Sequence, residues 1–132
     1  MPSVLVIDDE RAIRDSVRQV LERRGFTVFT SEDGDVGFER FREEKLDLVI
    51  VDMVMPRCDG LQVIRKIREI SAGAPILAIS GGGNFQEKGY TPQAGLVMGY
   101  LLAASKYGAD AVLTKPFRRD HLLSTVRSLV PN

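Results

Sequence analysis

Several common sources of function are missing from the sequence. It holds a single cysteine, Cys58, so no internal disulfide can form, and with one histidine it cannot build the cysteine and histidine cluster of a zinc site. Its 18 basic side chains are balanced by 18 acidic ones, which leaves no surplus positive charge to hold a nucleic-acid backbone or an anionic membrane. Any partner is therefore recognised locally. No apolar run nears the roughly 20 residues that would cross a bilayer. The opening "MPSVLVIDD" lacks the basic flank and long apolar stretch of a secretory signal, so a reducing cytoplasm is the expected setting. No repeat, low-complexity tract or linker interrupts the 132 residues, a length that fits one domain with its own core.

What is present is an alternation. Residues 4–7, 28–30, 46–51 and 76–79 are short runs, mostly β-branched or leucine, of the kind that form strands covered on both faces, and 111–113 is a weaker fifth. Between them lie segments with helical spacing. Ile13, Val17, Val20 and Leu21 precede Gly25, which is placed to end a helix. Phe38 and Phe41 anchor a shorter helix between Asp33 and Glu44, and Leu61, Ile64, Ile67 and Ile70 mark another. Leu122, Leu123, Val126, Leu129 and Val130 mark the last. Such an alternation predicts a doubly wound α/β fold, a five-stranded parallel sheet with helices on both faces.

In sheets of this kind the functional crevice lies beyond the carboxyl ends of the strands. The residues there are Asp8 and Asp9, Asp52, Ser80, and Lys115 with Pro116. Three carboxylates in one crevice repel one another unless a cation compensates them. Carboxylate oxygen suits Mg²⁺, which is typically held by one or two carboxylates together with phosphate oxygens. A lysine and a hydroxyl facing the same crevice suit the oxygens of a transferring phosphoryl group. The pattern points to phosphoryl chemistry on a carboxylate.

Four segments now resemble a known family: "VLVIDDE" (4–10), "DLVIVDMVMPRCDG" (47–60), "PILAIS" (75–80) and "GADAVLTKPF" (108–117). In that order and spacing they are similar to the receiver domains of two-component response regulators, the CheY-like proteins. The resemblance implies a flavodoxin-like sheet of strand order 2-1-3-4-5 and one receiver domain over 1–132. It implies that Asp52 is the phosphoacceptor, that Asp8, Asp9, Asp52 and the backbone carbonyl of Val54 hold Mg²⁺, and that Ser80 is the switch hydroxyl. Lys115 would pair with the phosphoryl group, and Pro116 would follow it through a cis bond. The phosphoryl donor would be a histidine kinase or a histidine phosphotransfer protein. Output would pass to a protein target, or to a second copy, through the fourth helix, fifth strand and fifth helix, with no direct contact to nucleic acid or membrane. Such a chain is a switch rather than an enzyme, promoting only its own Mg²⁺-dependent phosphorylation and dephosphorylation.

Three departures from the family pattern stand out. Val54 carries no polar group to influence water attack on an acyl phosphate. Val112 replaces the aromatic residue that commonly rotates on activation, for which Tyr100 or Tyr107 is a substitute. Between Ser80 and Lys115 lie 34 residues, about a dozen more than the family's usual spacing, and the extra length falls near 84–95, between the fourth strand and the fourth helix. The fourth helix, "LVMGYLLAASKYG", spreads apolar residues around its circumference, so either the insertion or a partner is expected to cover it. The glycines at 81–83 lack the Gly-Lys-Ser/Thr of a P-loop and are expected to act as a hinge for a mobile 84–95 segment ordered by phosphorylation or a partner.

Cys58 and His121 have no matching partners and are expected to do no chemistry. With the chain ending soon after the last helix, a stand-alone regulator is expected. An aspartate-nucleophile phosphatase is the main alternative, but such enzymes usually carry a second aspartate where Val54 stands. A non-phosphorylated interaction module would not need every site residue in place. A flavin-binding relative would have to bring a phosphate against the acidic pair.

Overall fold

The computed structural model describes residues 1–55, 59–80, 105–106 and 108–130. In chain order these form β1 (Ser3–Ile7), α1 (Arg11–Glu22), β2 (Thr27–Ser31), α2 (Gly34–Glu43), β3 (Leu48–Asp52), α3 (Gly60–Ile70), β4 (Ile76–Ser80) and β5 (Ala111–Thr114). A final helix, α4, spans Arg119–Leu129. The expectations for Cys58, the 81–83 glycines, the 84–95 insertion, Tyr100, Tyr107 and the helix before β5 fall outside the described residues.

The strands form one sheet in the order β2-β1-β3-β4-β5, every pairing parallel, as expected. Strand side chains alternate between faces, and each face has its own core. Val4, Val6, Leu48, Ile50, Leu77 and Ile79 pack with Val17 and Leu21 of α1 and Leu122 and Val126 of α4. Leu5, Ile7, Val49, Val51, Ile76 and Ala78 pack with Val63, Ile64 and Ile67 of α3, while Phe38 and Phe41 of α2 cover the edge of that cluster. The continuous apolar runs are thus explained by burial on both faces.

Local chemistry sets the helix limits. Asp33 caps α2 by accepting the Val36 N–H at 2.8 Å, and Asp59 with Gln62 forms a reciprocal capping box on α3. Gly25 follows α1 with φ of +90°, the left-handed geometry that terminates helices at little steric cost. One expected stripe is corrected. Leu61, Ile64 and Ile67 pack on one core, but Ile70 leaves it and is 55% exposed. Steps of three fall about 60° short of a full turn each time, so three steps carry the residue to the opposite side of the helix. Val63 takes the buried place instead.

β5 is held against β4 from outside the ladder. Arg68 of α3 donates to the carbonyls of Gly108 and Ala74, each at 2.6 Å, and pairs with Asp110, whose Oδ2 also accepts the Ile76 N–H. This clamp fixes the approach to the strand that leads into Lys115.

Candidate functional site

The site lies at the carboxyl edge of the sheet, where β1 is flanked by β2 and β3 and the strand order reverses. Three backbone bonds continue the pairing past the strands. Asp8 N–H donates to Ser31 at 3.1 Å, Met53 N–H to Ile79 at 2.9 Å, and Lys115 N–H to Ser80 at 2.7 Å. The strand ends carrying the polar residues are therefore held as firmly as the ladder itself. The Lys115–Pro116 peptide is cis.

Of the expected residues, Asp8, Asp52, Ser80 and Lys115 are buried, and Asp9 is partly exposed at the mouth. Asp52 and Ser80 are the last residues of their strands rather than the first beyond them. Ligand oxygens of Asp8, Asp9 and Asp52 all lie within 4.8 Å of one another. Lys115 Nζ stands 2.8 Å from Asp8, 3.4 Å from Glu10 and 3.7 Å from Asp52. Asp52 Oδ1 accepts the Val54 N–H at 3.3 Å, which sets Val54 beside the carboxylate.

Burial works to lower the pKa of the Lys115 ammonium. The charges of Asp52 and Asp8, the close contact with Asp8 and the charge of Glu10 outweigh it and hold the group above its ordinary 10.5. A cation that stays charged and dry beside a buried carboxylate suits the binding of an oxyanion.

Two of the buried side-chain atoms that make no hydrogen bond among the described residues lie at this site. Ser80 Oγ has no partner among the described residues, and Asp8 Oδ2, although close to the lysine charge, accepts no well-angled bond. Leaving the Ser80 hydroxyl unmet costs about 1–3 kcal/mol, so it is fitted to an acceptor that arrives, whereas Asp8 Oδ2 is already held by the Lys115 charge at 2.8 Å. An acceptor oxygen would satisfy the hydroxyl and a hard cation the carboxylate. With three carboxylates in reach of one point, the donor set fits a divalent ion of the Mg²⁺ kind.

Sequence reasoning gave no role to Glu10, which reaches Lys115, or to Arg14, whose guanidinium donates to the Asp8 carbonyl at 2.6 Å. It also passed over Gly60, whose backbone lies against Asp52 and Met53. For Glu10 the only signal was a third acidic residue after the aspartate pair. His121 is exposed on α4.

A family model described as the response regulator receiver domain matches residues 4–127. The chain belongs to this family. The receiver is 34% identical over 127 residues to the response regulator MprA of Mycobacterium ulcerans, an alignment covering 96% of this chain and 49% of that protein. It thus spans about half the length of the MprA relatives it matches. Among solved structures it is similar to the Vibrio cholerae chemotaxis protein CheY4, with 26% identity, a TM-score of 0.80 and coverage of 98% and 99% of the two chains. It is also similar to the response regulator TrrA of Thermotoga maritima, solved in complex with Mg²⁺ and BeF, with 28% identity, a TM-score of 0.78 and coverage of 98% and 100%. The receiver is accordingly a component of phosphorelay signalling, built on the flavodoxin-like fold. Among its described residues no helix is long and apolar enough to cross a membrane.

Proposed function

We propose that this receiver accepts a phosphoryl group on Asp52 from a phosphohistidine of a histidine kinase or phosphotransfer protein and controls a protein partner by the change that follows. The observation that carries this reading is the buried Asp52 carboxylate with Lys115 at 3.7 Å and the Asp8 and Asp9 oxygens within 4.8 Å. A carboxylate oxygen of Asp52 attacks phosphorus, the P–N bond to the donor imidazole breaks, and an acyl phosphate remains.

Asp8, Asp9 and Asp52, with the carbonyl of Val54, would hold Mg²⁺, which when bound neutralises charge on the phosphoryl oxygens. Lys115 pairs with one phosphoryl oxygen and Ser80 donates its hydroxyl to another, which gives the Oγ, without a partner among the described residues, a bond in the modified state. Val54 has no proton to give or take, in keeping with a protein that catalyses only its own modification and its reversal. Output would leave through the side bearing β5 and α4, where Val112 is 38% exposed, to a target or a second copy in the cytoplasm. The Mg²⁺ and BeF complex of the Thermotoga relative, a metal with a phosphoryl mimic, supports the same assignment by likeness.

The direct test is to incubate the protein with Mg²⁺ and phosphoramidate, reduce with borohydride and map the product by mass spectrometry. Conversion of Asp52 to homoserine is expected. Modification at Asp8 or Asp9 alone, or none at all, would refute the assignment.

Metal binding has its own readout. Mg²⁺ at ten times its dissociation constant should raise the unfolding free energy by about 1.4 kcal/mol in urea titrations against an EDTA control. Asp9→Asn should remove most of that gain. A gain of equal size in the variant would show that the ion binds elsewhere.

A further inference from the structure

Lys115 must serve the phosphoryl group on Asp52, yet Asp52 is the farthest of the carboxylates around it, at 3.7 Å against 2.8 Å for Asp8 and 3.4 Å for Glu10. We propose that Glu10 is a positioning residue that competes with the incoming phosphoryl group for the Lys115 ammonium, so the resting domain carries an ion pair that modification has to break. This rests on the reading of Asp52 as phosphoacceptor.

The arrangement of Glu10 supports that role. It is the N-cap residue of α1, but its side chain makes no capping bond to that helix. Its N–H is tied to Asp8 Oδ1 at 2.8 Å, and its carboxylate turns to a lysine 105 residues away in the chain. The Glu10 side chain is only 17% exposed and that of Lys115 2%, so solvent screens the pair weakly. The nearby cation of α1, Arg14, donates to the Asp8 carbonyl.

The other two carboxylates have second tasks. Asp8 and Asp52 belong to the group that could hold a metal, and Glu10 does not. When Asp8 serves the ion and Asp52 carries the phosphoryl group as an acyl phosphate, both relax their hold on Lys115. Glu10 keeps its full negative charge and remains the counter-ion from which the phosphoryl oxygens must win the lysine. Neutralising it weakens the resting state and removes a charge that faces those oxygens. Both effects favour the modified form.

The test is titration of the full chain with beryllofluoride at saturating Mg²⁺, followed by the amide signals of Ser80 and Thr114, for wild type, Glu10→Gln and Glu10→Asp. The glutamine variant should bind the mimic about fivefold more tightly, the size expected for loss of one partly shielded charge pair. Glu10→Asp keeps the charge on a shorter stem and should also bind more tightly than wild type, though less so than Glu10→Gln. Since the Glu10 side chain caps nothing, folding should be retained, as a thermal melt would show. In metal-free protein the Lys115 ammonium ¹H–¹⁵N signal should move in Glu10→Gln. An unchanged signal, an affinity no tighter in Glu10→Gln, or an aspartate variant identical to wild type would overturn the inference while leaving the Asp52 assignment intact. A wild type that takes up no beryllofluoride would bring down the Asp52 reading and this inference with it.

Discussion

Replacing Lys115 by methionine should lower the stability of the metal-free domain by about 3 kcal/mol, because removing one partner of a buried ion pair leaves the other charges uncompensated. The lysine side chain is 2% exposed and faces Asp8, Glu10 and Asp52, while Asp9 adds its charge at the mouth. Methionine preserves most of the apolar stem, so the loss reports the charge rather than a cavity. Mg²⁺ should restore part of it, and the metal-induced gain in unfolding free energy should be larger in Lys115→Met than in wild type, since the variant lacks the competing cation. The pH dependence has a definite sign. The folded state raises the Lys115 pKa above 10.5, chiefly through the surrounding carboxylates acting against burial. The stabilisation is therefore complete below the unfolded value and fades as pH climbs through the raised one. The difference between wild type and variant should be flat from about pH 6 to 9 and shrink only under strongly alkaline conditions. Urea unfolding across this range, with EDTA, checks both claims. Equal stability of the two proteins would mean that the carboxylates are already satisfied by solvent.

That charge balance explains why so much of the site could be read from the chain and why part of it could not. A strand end in a doubly wound sheet has a fixed destination, so Asp8, Asp52 and Ser80 were placed by the apolar runs before them, and the parallel register brings these ends to one edge. The alternation that splits Val4 and Val6 from Leu5 and Ile7 into separate cores follows from the two-residue strand period. Contacts made by flexible or absent side chains follow no such period. The meeting of Glu10 with Lys115 depends on how the first turn of α1 leaves β1 and on how far β5 extends past Ser80. Ile70 looked equivalent to Ile67 only because a spacing of three resembles a turn of 3.6 over one step and departs from it over three. Glycine is hardest of all to interpret, since the sequence does not say what approaches the missing Cβ.

Gly60 shows how much can depend on that missing atom. A Cβ built at this position would lie 2.7 Å from Met53 Cα and closer still to the Asp52 carbonyl oxygen, inside the backbone that carries the proposed phosphoacceptor. Neither side can yield cheaply. The Gly60 N–H donates to the Met53 carbonyl at 3.2 Å, and the Met53 N–H donates to Ile79, so moving that backbone strains the central strand pair. On the other side, α3 is fastened by Val63, Ile64 and Ile67 in the core and by the capping box of Asp59 and Gln62. Gly60→Ala should therefore destabilise the domain by about 3 kcal/mol, the upper range for overpacking, against a helix-propensity gain of about 1 kcal/mol that would apply without the clash. At this chain length the melting temperature should fall by roughly 10 °C. Gly73→Ala is the matched control, because nothing lies within 4 Å of its Cβ position, and it should be neutral or slightly stabilising. The two variants separate steric wedging from a general sensitivity to alanine. In Gly60→Ala protein that remains folded, borohydride trapping at Asp52 should also fall, since the added methyl displaces the backbone beneath the nucleophile. Undiminished trapping together with a wild-type melting temperature would show that α3 shifts aside without disturbing β3.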